Sequence, residues 1–358
     1  MLGLVIILDI QDAINGADDC DTIYVFCGTY FENIVIDKKI NLVGEFNQNT
    51  IIDGSRKGDT VNIKVDGVKI QDFTIKNGSS NISVDWFRAG VRVTGSNVSI
   101  QGNIFCDNLL GIFGKRVTDI SICNNIFLND GITFSSYDSE LKHPPLYEKY
   151  FIHKIENNTV NGKPLLYYKN QENFAVPSNV GQLIAVNCSK MIISNASITN
   201  TDFGIILAFC RFCTIEKSNL SSNDEMIWLI RSDYNIIEFN NISNNFHGIC
   251  IDYGSKNNII RNNHISKNQW CGIILEYFSS NNIIENNNLL KNNVKNGYFI
   301  QSFRNKWSGN YWDDWIGLNN GILGRLPKII WGQPLERVVH SFWFNFDLHP
   351  AQKPFDIF

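Results

Sequence analysis

A six-residue phrase recurs along this chain, and its spacing constrains the fold more than any other feature. The phrase has an apolar residue at its first and sixth positions and usually Asn at its fourth. Its clearest copies begin at Ile122, Ile155, Ile193, Ile215, Ile237, Ile260 and Ile284. The last five copies begin 22, 22, 23 and 24 residues apart. A period near two dozen residues indicates stacked supersecondary units, so the chain is a repeat protein.

Within each repeat the apolar residues follow a period of two rather than 3.6. Residues 248–251 (GICI) and 272–275 (GIIL) are typical runs, separated by Asn, Gly and Ser, and they predict short strands joined by tight bends. No helical stripe is long enough to supply a crossover helix, and the Leu-x-x-Leu-x-Leu ladder of leucine-rich repeats is missing. The remaining solution is a coil in which each strand pairs with its counterpart one turn on, about 4.8 Å away.

We therefore predict an all-β fold: a single-stranded, right-handed parallel β-helix of about ten to twelve turns with a cap at each end. The handedness rests on the general rule for parallel crossovers. Asn125, Asn158, Asn240, Asn263 and Asn287 take comparable places in the repeat. Because Asn tolerates left-handed backbone and can stack in hydrogen-bonded ladders, we expect these residues at the bends.

Composition sets broad limits on the class of protein. The chain has 358 residues, of which 44% are hydrophobic and 18% charged, with a net charge of −4. That balance gives no indication of nucleic-acid binding, and no apolar run of about 18 residues predicts a transmembrane segment. Residues 1–10 are apolar but short and lack a basic start, so no signal peptide is evident. They are either the first strand of a cap or the remnant of a signal sequence.

The repeat pattern predicts three regions along the chain. Residues 1–19 form an N-terminal cap, residues 20–305 form the β-helix, and the aromatic-rich residues 306–358 cover its C-terminal end and continue as a tail. Insertions in solenoids map to loops, so we expect outer loops near residues 79–89, 134–150 and 161–177. Cys210 and Cys213 form a CxxC pair, but without a second pair they indicate buried thiols rather than a zinc site.

Several segments resemble NosD-like, pectate-lyase-like right-handed β-helices. The opening of such proteins is similar to residues 10–15 (IQDAIN), 28–33 (GTYFEN), 40–45 (INLVGE) and 51–54 (IIDG). Archaeal surface proteins of this group are similar to residues 157–165 (NNTVNGKPL), 181–188 (GQLIAVNC) and 309–312 (GNYW). The resemblance covers roughly residues 10–315 and is specific for the fold and the family rather than for an activity.

The resemblance implies an extracellular, cell-surface or periplasmic-type protein. The family takes its name from a periplasmic protein linked to copper delivery for nitrous oxide reductase, and related β-helices bind, cleave or epimerise polysaccharides. Copper follows here from the family name alone, because the chain has no Met-rich run and its His residues are scattered. Those residues are His143, His153, His247, His264, His340 and His349.

Candidate catalytic residues emerge when the turns are aligned on their apolar strands. Asp252 and Glu276 then take the same position on adjacent turns, about 5 Å apart, and Arg231 takes the next position one turn earlier. Carboxylates can transfer protons or bind calcium, and a cation can offset the carboxylate of an acidic sugar. These three residues are therefore candidates for catalysis, with calcium as a possible cofactor.

Candidate substrate-binding residues lie beside these acids. Tyr253 and Tyr277 continue the column of Arg231, and Asp233 is close in sequence. Tyrosine faces give sugars an apolar platform, whereas ordinary solvated residues at a bend are the alternative interpretation.

The sequence favours a non-catalytic solenoid that binds a polysaccharide or another surface component. A polysaccharide lyase, hydrolase or epimerase and a copper-binding accessory protein remain open alternatives.

Overall fold

A computed structural model describes residues 8–79, 88–135, 146–223, 225–334 and 343–357. The protein is all-β, with about 4% of its residues in helices, and its stacked parallel coils form a right-handed β-solenoid of about 12 turns. The predicted fold class is confirmed. The chain divides into two compact units, Met1–Leu165 and Leu166–Phe358.

Unit 1 begins with the helix α1 (Ile10–Gly16) and continues as short strands. Its strands are β1 (Thr22–Val25), β2 (Gly28–Tyr30), β3 (Ile34–Ile36), β4 (Asn41–Gly44), β5 (Thr50–Asp53), β6 (Val61–Ile63), β7 (Lys69–Gln71), β8 (Thr74–Lys76), β9 (Ala89–Val93), β10 (Ser99–Gln101), β11 (Ile104–Cys106), β12 (Leu110–Lys115), β13 (Ser121–Cys123), β14 (Ile126–Leu128), β15 (Ile132–Ser135), β16 (Lys154–Glu156) and β17 (Thr159–Val160). A 3₁₀ turn, Glu148–Tyr150, precedes β16.

The turns of unit 1 contribute strands to three parallel stacks, which hold six, six and five strands. The stacks run β1-β4-β7-β10-β13-β16, β2-β5-β8-β11-β14-β17 and β3-β6-β9-β12-β15. Apolar side chains therefore form inward columns; Phe105 and Phe127, for example, stack with ring centroids 4.9 Å apart. The core is built from identical positions of successive turns, which explains the sequence register.

Unit 2 follows the same plan with longer strands on one side. The strand β18 (Lys163–Lys169) leads into β19 (Glu172–Val176), β20 (Gln182–Val186), β21 (Ser189–Ser194), β22 (Ser197–Thr199), β23 (Phe203–Ala208), β24 (Thr214–Glu216), β25 (Asn219–Ser221), β26 (Glu225–Ile230), β27 (Ile236–Glu238), β28 (Asn241–Ser243), β29 (His247–Asp252), β30 (Ile259–Arg261), β31 (His264–Ser266), β32 (Cys271–Leu275), β33 (Ile283–Glu285), β34 (Asn288–Leu290), β35 (Lys295–Ile300), β36 (Lys306–Ser308), β37 (Tyr311–Trp312), β38 (Lys328–Gln333) and β39 (Trp343–Asp347). A 3₁₀ turn, Leu323–Arg325, precedes β38.

The strands of unit 2 also form three parallel stacks. These run β20-β23-β26-β29-β32-β35, β21-β24-β27-β30-β33-β36 and β22-β25-β28-β31-β34-β37. One contiguous core fills the space between them. Cys210 and Cys213 are both free and fully buried in that core, as expected for thiols that behave as small apolar groups.

Buried Asn ladders line the bends. Asn240, Asn263, Asn287 and Asn310 form one ladder, in which each Nδ2 donates to the Oδ1 of the next Asn at 3.0 Å. The residue before each ladder Asn has the left-handed backbone, for example Asn262 at φ 53°. The left-handed backbone and the hydrogen-bonded ladder, which the sequence analysis assigned to the same Asn, therefore belong to two neighbouring residues.

The N-terminal cap contains α1, whereas most of the apolar opening, predicted as a strand of the cap or the remnant of a signal sequence, lies outside the described residues. Residues 1–7 lie outside the described residues, and α1 follows them. The Gln11 side chain pairs with the backbone of Val35 as another strand would: Nε2 donates to the carbonyl oxygen at 3.2 Å, and the Val35 amide donates to Oε1 at 2.7 Å. The helix thus satisfies part of the edge of β3.

The predicted outer loop at residues 161–177 is wrong, because this segment contains β18 and β19. β18 forms a hairpin with β17, and β19 pairs parallel with β21. Gly162, at φ 77°, makes the turn of that hairpin. The expected loops near 79–89 and 134–150 fall mostly outside the described residues.

The coil also continues past residue 305, where the repeat was predicted to stop. β36 pairs with β33 and β37 pairs with β34, so Trp307 and Trp312 extend the inward columns of Ile284 and Leu289. The change from aliphatic to indole side chains concealed the repeat in the sequence. Within the described part of the chain, no helix has the length and apolar character that crossing a membrane requires.

Candidate functional site

The corner that follows β23, β26, β29 and β32 in unit 2 carries three columns of outward residues, which we call the corner ridge. The first column holds Phe209, Arg231, Tyr253 and Tyr277; the second holds Arg211, Asp233, Lys256 and Ser280; the third holds Phe212, Tyr234, Asn257 and Asn281. Backbone hydrogen bonds join successive turns, such as the Tyr234 amide to the Lys256 carbonyl oxygen at 3.0 Å. The columns therefore repeat at the strand spacing.

Aromatic rings stack along two of these columns. Phe212 and Tyr234 have ring centroids 5.3 Å apart with an interplanar angle of 19°, and 54% and 49% of their surfaces are exposed. Tyr253 and Tyr277 have centroids 5.7 Å apart at 33° and are half-buried. The ridge thus presents ring surface to solvent on more than one turn.

The backbone at these rings is unusual. Phe212, Tyr234, Tyr253 and Tyr277 have φ values of 55°, 59°, 51° and 42°. A bulky side chain in left-handed backbone costs roughly 1–2 kcal/mol, and Asn suits the same conformation better. Asn257, at φ 57°, occupies the third column one turn after Tyr234. The backbone therefore does not require aromatic residues here, and another role must favour them.

Cationic residues accompany the rings. Arg211, Arg231 and Lys256 are all exposed. The acidic member of the ridge, Asp233, is half-buried, and its Oδ1 accepts a hydrogen bond from the Lys256 amide at 2.8 Å. The charge displayed at this corner is therefore mainly positive.

Beside the ridge, the predicted acids meet a thiol in what we call the acid–thiol cluster. Cys250, Asp252 and Glu276 place one ligand atom each within 4.8 Å of one another. Cys250 Sγ donates to Glu276 Oε2 at 3.8 Å. Both Cys250 and Asp252 are buried, with 5% and 4% exposure, whereas Glu276 is half-buried.

Burial is the main cause of the pKa shifts in this cluster. It raises the pKa of Asp252 well above the ordinary carboxyl value, and the neighbouring Glu276 charge raises it further. Hydrogen bonds from the Tyr253 amide at 2.6 Å and the Trp228 indole Nε1 at 3.2 Å oppose that shift. Burial likewise raises the pKa of Cys250, with Glu276 adding to the effect. The cluster therefore favours a protonated Asp252 and a neutral thiol.

A second polar pair lies on the same strands. His247 Nδ1 contacts Glu225 Oε1, and the His247 ring stacks on Trp270 with centroids 5.2 Å apart. Glu225 and His247 are register partners on β26 and β29. This pair was not predicted, because the turns were aligned on the starts of these strands but only the positions at the strand ends were compared.

The structure brings most of the predicted residues together. Asp252 and Glu276 approach each other in the cluster, and Tyr253 contacts Tyr277. The Arg231 amide donates to the Asp252 carbonyl oxygen at 3.3 Å, but the ion pairs between described residues do not join its guanidinium to either acid. Asp233 lies in the second column.

Several residues with a place in the site were not predicted. Phe212 and Tyr234 form the most exposed ring pair of the ridge, and Cys250 completes the cluster. Extending the column alignment three residues beyond Phe209 and Arg231 would have found the ring pair, because Phe212 and Tyr234 then fall in register.

Comparison with family models matches residues 146–317 to NosD, described as a periplasmic copper-binding protein. Comparison with curated proteins finds no significant match. The family resemblance inferred from the sequence is confirmed over this region.

Similar solved structures include β-helical proteins of low identity. The mannuronan C-5 epimerase AlgE6 A-module of Azotobacter vinelandii is 12% identical, with a TM-score of 0.33, and the match covers 84% of this chain and 92% of that one. The periplasmic alginate epimerase AlgG is 13% identical, with a TM-score of 0.36 and coverages of 96% and 75%. DFA-IIIase from Arthrobacter chlorophenolicus A6 is 12% identical, with a TM-score of 0.40 and coverages of 85% and 91%. At these scores the likenesses carry no functional argument.

The acid–thiol cluster does not fit copper. Cu(I) prefers thiolate, thioether and imidazole ligands, whereas the cluster offers a single soft donor, Cys250, together with two carboxyl groups. Calcium takes six to eight oxygen ligands, and the cluster supplies carboxylates from Asp252 and Glu276 only. Neither ion is matched by the donors of the acid–thiol cluster.

Proposed function

We propose that this chain, whose residues 146–317 form a NosD-family β-helix, is an exported solenoid that binds glycans at the corner ridge without turning them over. The single observation that carries the proposal is the exposed Phe212–Tyr234 stack held in left-handed backbone. Flat ring faces accept the apolar faces of sugars, and the repeat spacing presents such faces along one line.

Three features support binding rather than a structural role for these rings. The rings are about half exposed, so they do not complete the core. Their backbone conformation suits Asn better, as Asn257 and Asn281 illustrate in the same column. Solenoids use such extended repeated surfaces for binding.

The test is retention of the full chain on a panel of acidic and neutral polysaccharides, with product analysis of every eluate. Tyr234→Asn and Phe212→Asn place in each turn the residue that later turns carry, so the backbone remains suited to the corner. We expect each variant to bind its best glycan roughly tenfold more weakly, since loss of one ring contact removes about 1.4 kcal/mol.

Phe239→Asn is the matched control. Phe239 is also aromatic, left-handed at φ 54° and 36% exposed, but it lies in another corner. It should leave retention unchanged. Equal losses in all three variants, or no retention of the parent on any polysaccharide, would contradict the proposal.

A second candidate function is a polysaccharide-active enzyme, which the proximity of Asp252 and Glu276 favours. Two carboxyl groups in different environments can divide the acid and base roles. The same panel addresses it: product that accumulates with the parent and disappears in Asp252→Asn or Glu276→Gln identifies an enzyme. Retention without product supports the binding solenoid.

A further inference from the structure

We infer that the glycan bound at the corner ridge is anionic, an inference that rests on the proposed function and specifies its substrate class. The observation is the placement of Arg211, Arg231 and Lys256 among the ring columns. The chemistry they fit is a sugar that carries a carboxylate or a sulfate ester.

The three cations are available to a ligand. All are exposed, and none forms an ion pair with another described residue. Elsewhere in unit 2, Lys190 pairs with Glu172 at 2.8 Å, and Arg261 with Glu238 at 2.7 Å. What distinguishes the ridge is that three such cations lie in register beside ring residues.

The order of the columns places cationic side chains beside aromatic rings. Arg211 directly precedes Phe212 in the chain. Arg231 lies in the ring column between Phe209 and Tyr253, one turn from each. A sugar stacked on a ring therefore has a cation near its edge, which is where a uronate carboxylate or a sulfate projects.

Opposing charge at the ridge is limited. Asp233 is its acidic member, and its Oδ1 is occupied by the Lys256 amide. Glu276 precedes Tyr277 but is turned toward Cys250. Against a whole-chain net charge of −4, which by itself repels polyanions, a locally positive corner is needed for any acidic polymer to bind.

Arginine suits this role because its planar guanidinium pairs with carboxylate and sulfate through two parallel hydrogen bonds. Arg231 has left-handed backbone at φ 46°, a conformation that a long cationic side chain does not require. As for the aromatic residues, the backbone conformation does not account for Arg231, so its side chain is the feature that favours it there.

The test compares three polymers by titration calorimetry on the full chain: polygalacturonate, its fully methyl-esterified form and a sulfated neutral glucan. We expect polygalacturonate to bind at least tenfold more tightly than the ester, and its affinity to fall as salt is raised. Tight binding of the sulfated glucan instead supports the same anionic class with sulfate as the source of charge.

The key variant is Arg231→Asn, which keeps a residue suited to left-handed backbone. It should weaken polygalacturonate binding about five- to tenfold and leave ester binding unchanged. Lys267→Gln is the control, because Lys267 is exposed and left-handed at φ 57° in a different corner.

The outcomes separate this inference from the function on which it rests. Equal binding of acid and ester, both weakened by Tyr234→Asn, overturns the anionic class while glycan binding stands. Failure of all three polymers to bind overturns the anionic class, and failure of the whole polysaccharide panel overturns both. Loss of affinity in Lys267→Gln equal to that in Arg231→Asn would show a diffuse charge effect and overturn the ridge as its source.

Discussion

Adjacent Asn residues perform different tasks at the bends of this solenoid. Asn262 takes the left-handed conformation at φ 53°, whereas Asn263 is fully buried and joins a ladder. Asn263 Nδ2 donates to the Ile237 and Arg261 carbonyl oxygens at 2.8 and 2.9 Å and to Asn287 Oδ1 at 3.0 Å. Each buried Asn thus satisfies polar groups of its own turn and of its neighbours, which a buried bend requires.

Substitution of the two residues should separate these tasks. Asn263→Ala leaves several buried groups without partners and should lower the free energy of unfolding by about 3–5 kcal/mol. Asn262→Ala only strains the backbone, at about 1 kcal/mol, and Asn262→Gly should be close to neutral. Urea unfolding measures all three. Equal losses at both positions would contradict the division of roles.

The buried carboxyl of Asp252 should make stability depend on pH. Because its folded-state pKa is raised, the folded state binds its proton more tightly than the unfolded state. The contribution of Asp252 to the free energy of unfolding is therefore greatest below its unfolded-state pKa of about 3.9. It is lost as pH rises through the folded-state pKa, by about 1.4 kcal/mol for each unit by which the two pKa values differ.

Asp252→Asn should remove this dependence, so the variant gains stability relative to the parent between pH 4 and pH 8. Urea unfolding at the two pH values measures the difference. Glu276→Gln removes the neighbouring charge that helps to raise the Asp252 pKa and should weaken the decline without abolishing it. A difference between Asp252→Asn and parent that is the same at both pH values would exclude the effect.

At the scale of elements, glycine at the start of the long strands allows adjacent turns to approach. A Cβ on Gly272 would lie 2.7 Å from the Asn296 carbonyl oxygen and 2.8 Å from Asn292 Nδ2. Both contacts are shorter than real Cβ atoms show, and the Asn296 atom belongs to the backbone. β32 can therefore pack this closely against the following turn only because Gly272 has no side chain.

Gly272→Ala should destabilise the protein by roughly 1–3 kcal/mol, as overpacking does in a dense interior. Gly321→Ala is the control, because a Cβ there meets nothing within 4 Å. Thermal unfolding compares the two. Unchanged stability of Gly272→Ala would mean that the strand can shift outward without loss.

The sequence predicted strands where the apolar columns are aliphatic and failed where the residue type changes. Trp307 and Trp312 continue the columns of Ile284 and Leu289, but their indoles look like a cap in a one-dimensional pattern. β18 and β19 were missed because a hairpin between β17 and β18 interrupts the repeat at this point. Whether such segments form strands depends on pairing partners that the local sequence pattern does not reveal.

The same limit applies to the candidate site. The column of Asp252 and Glu276 follows from register alone, so alignment of turns found it. The burial and raised pKa of Asp252 do not follow from register, since they depend on what surrounds the outer face of the strands. The corner ridge was predicted only in part: the alignment gave Arg231, Tyr253 and Tyr277 of its first column but did not reach Phe212 and Tyr234 of its third.

At the scale of the whole molecule, a solenoid gains stability from contacts between neighbouring turns, so its ends need special closure. In unit 2 the Asn240 ladder ends on a carboxylate. Asp347 Oδ2 accepts from the Asn310 amide at 2.9 Å, Asn310 Nδ2 at 3.1 Å and the Trp312 indole at 3.0 Å. Asp347 is fully buried and thus satisfies donors that would otherwise point out of the last turn.

Asp347→Ala should therefore unfold the end of unit 2 before the rest. Hydrogen exchange should accelerate most over residues 306–312 and progressively less toward earlier turns, because coupling passes from neighbour to neighbour. Asp356→Ala, which alters an exposed carboxylate of the tail, is the control and should leave exchange unchanged. Uniform acceleration along the unit would contradict closure by Asp347.

The most direct test of the central claim is hydrogen exchange of the full chain with and without saturating polygalacturonate. Ligand at the corner ridge should slow exchange of the amides over residues 209–212, 231–234 and 253–257, and leave the opposite bend near Phe239 unchanged. Protection confined to His247–Asp252, around the acid–thiol cluster, or binding with no protection at the ridge, would contradict the account.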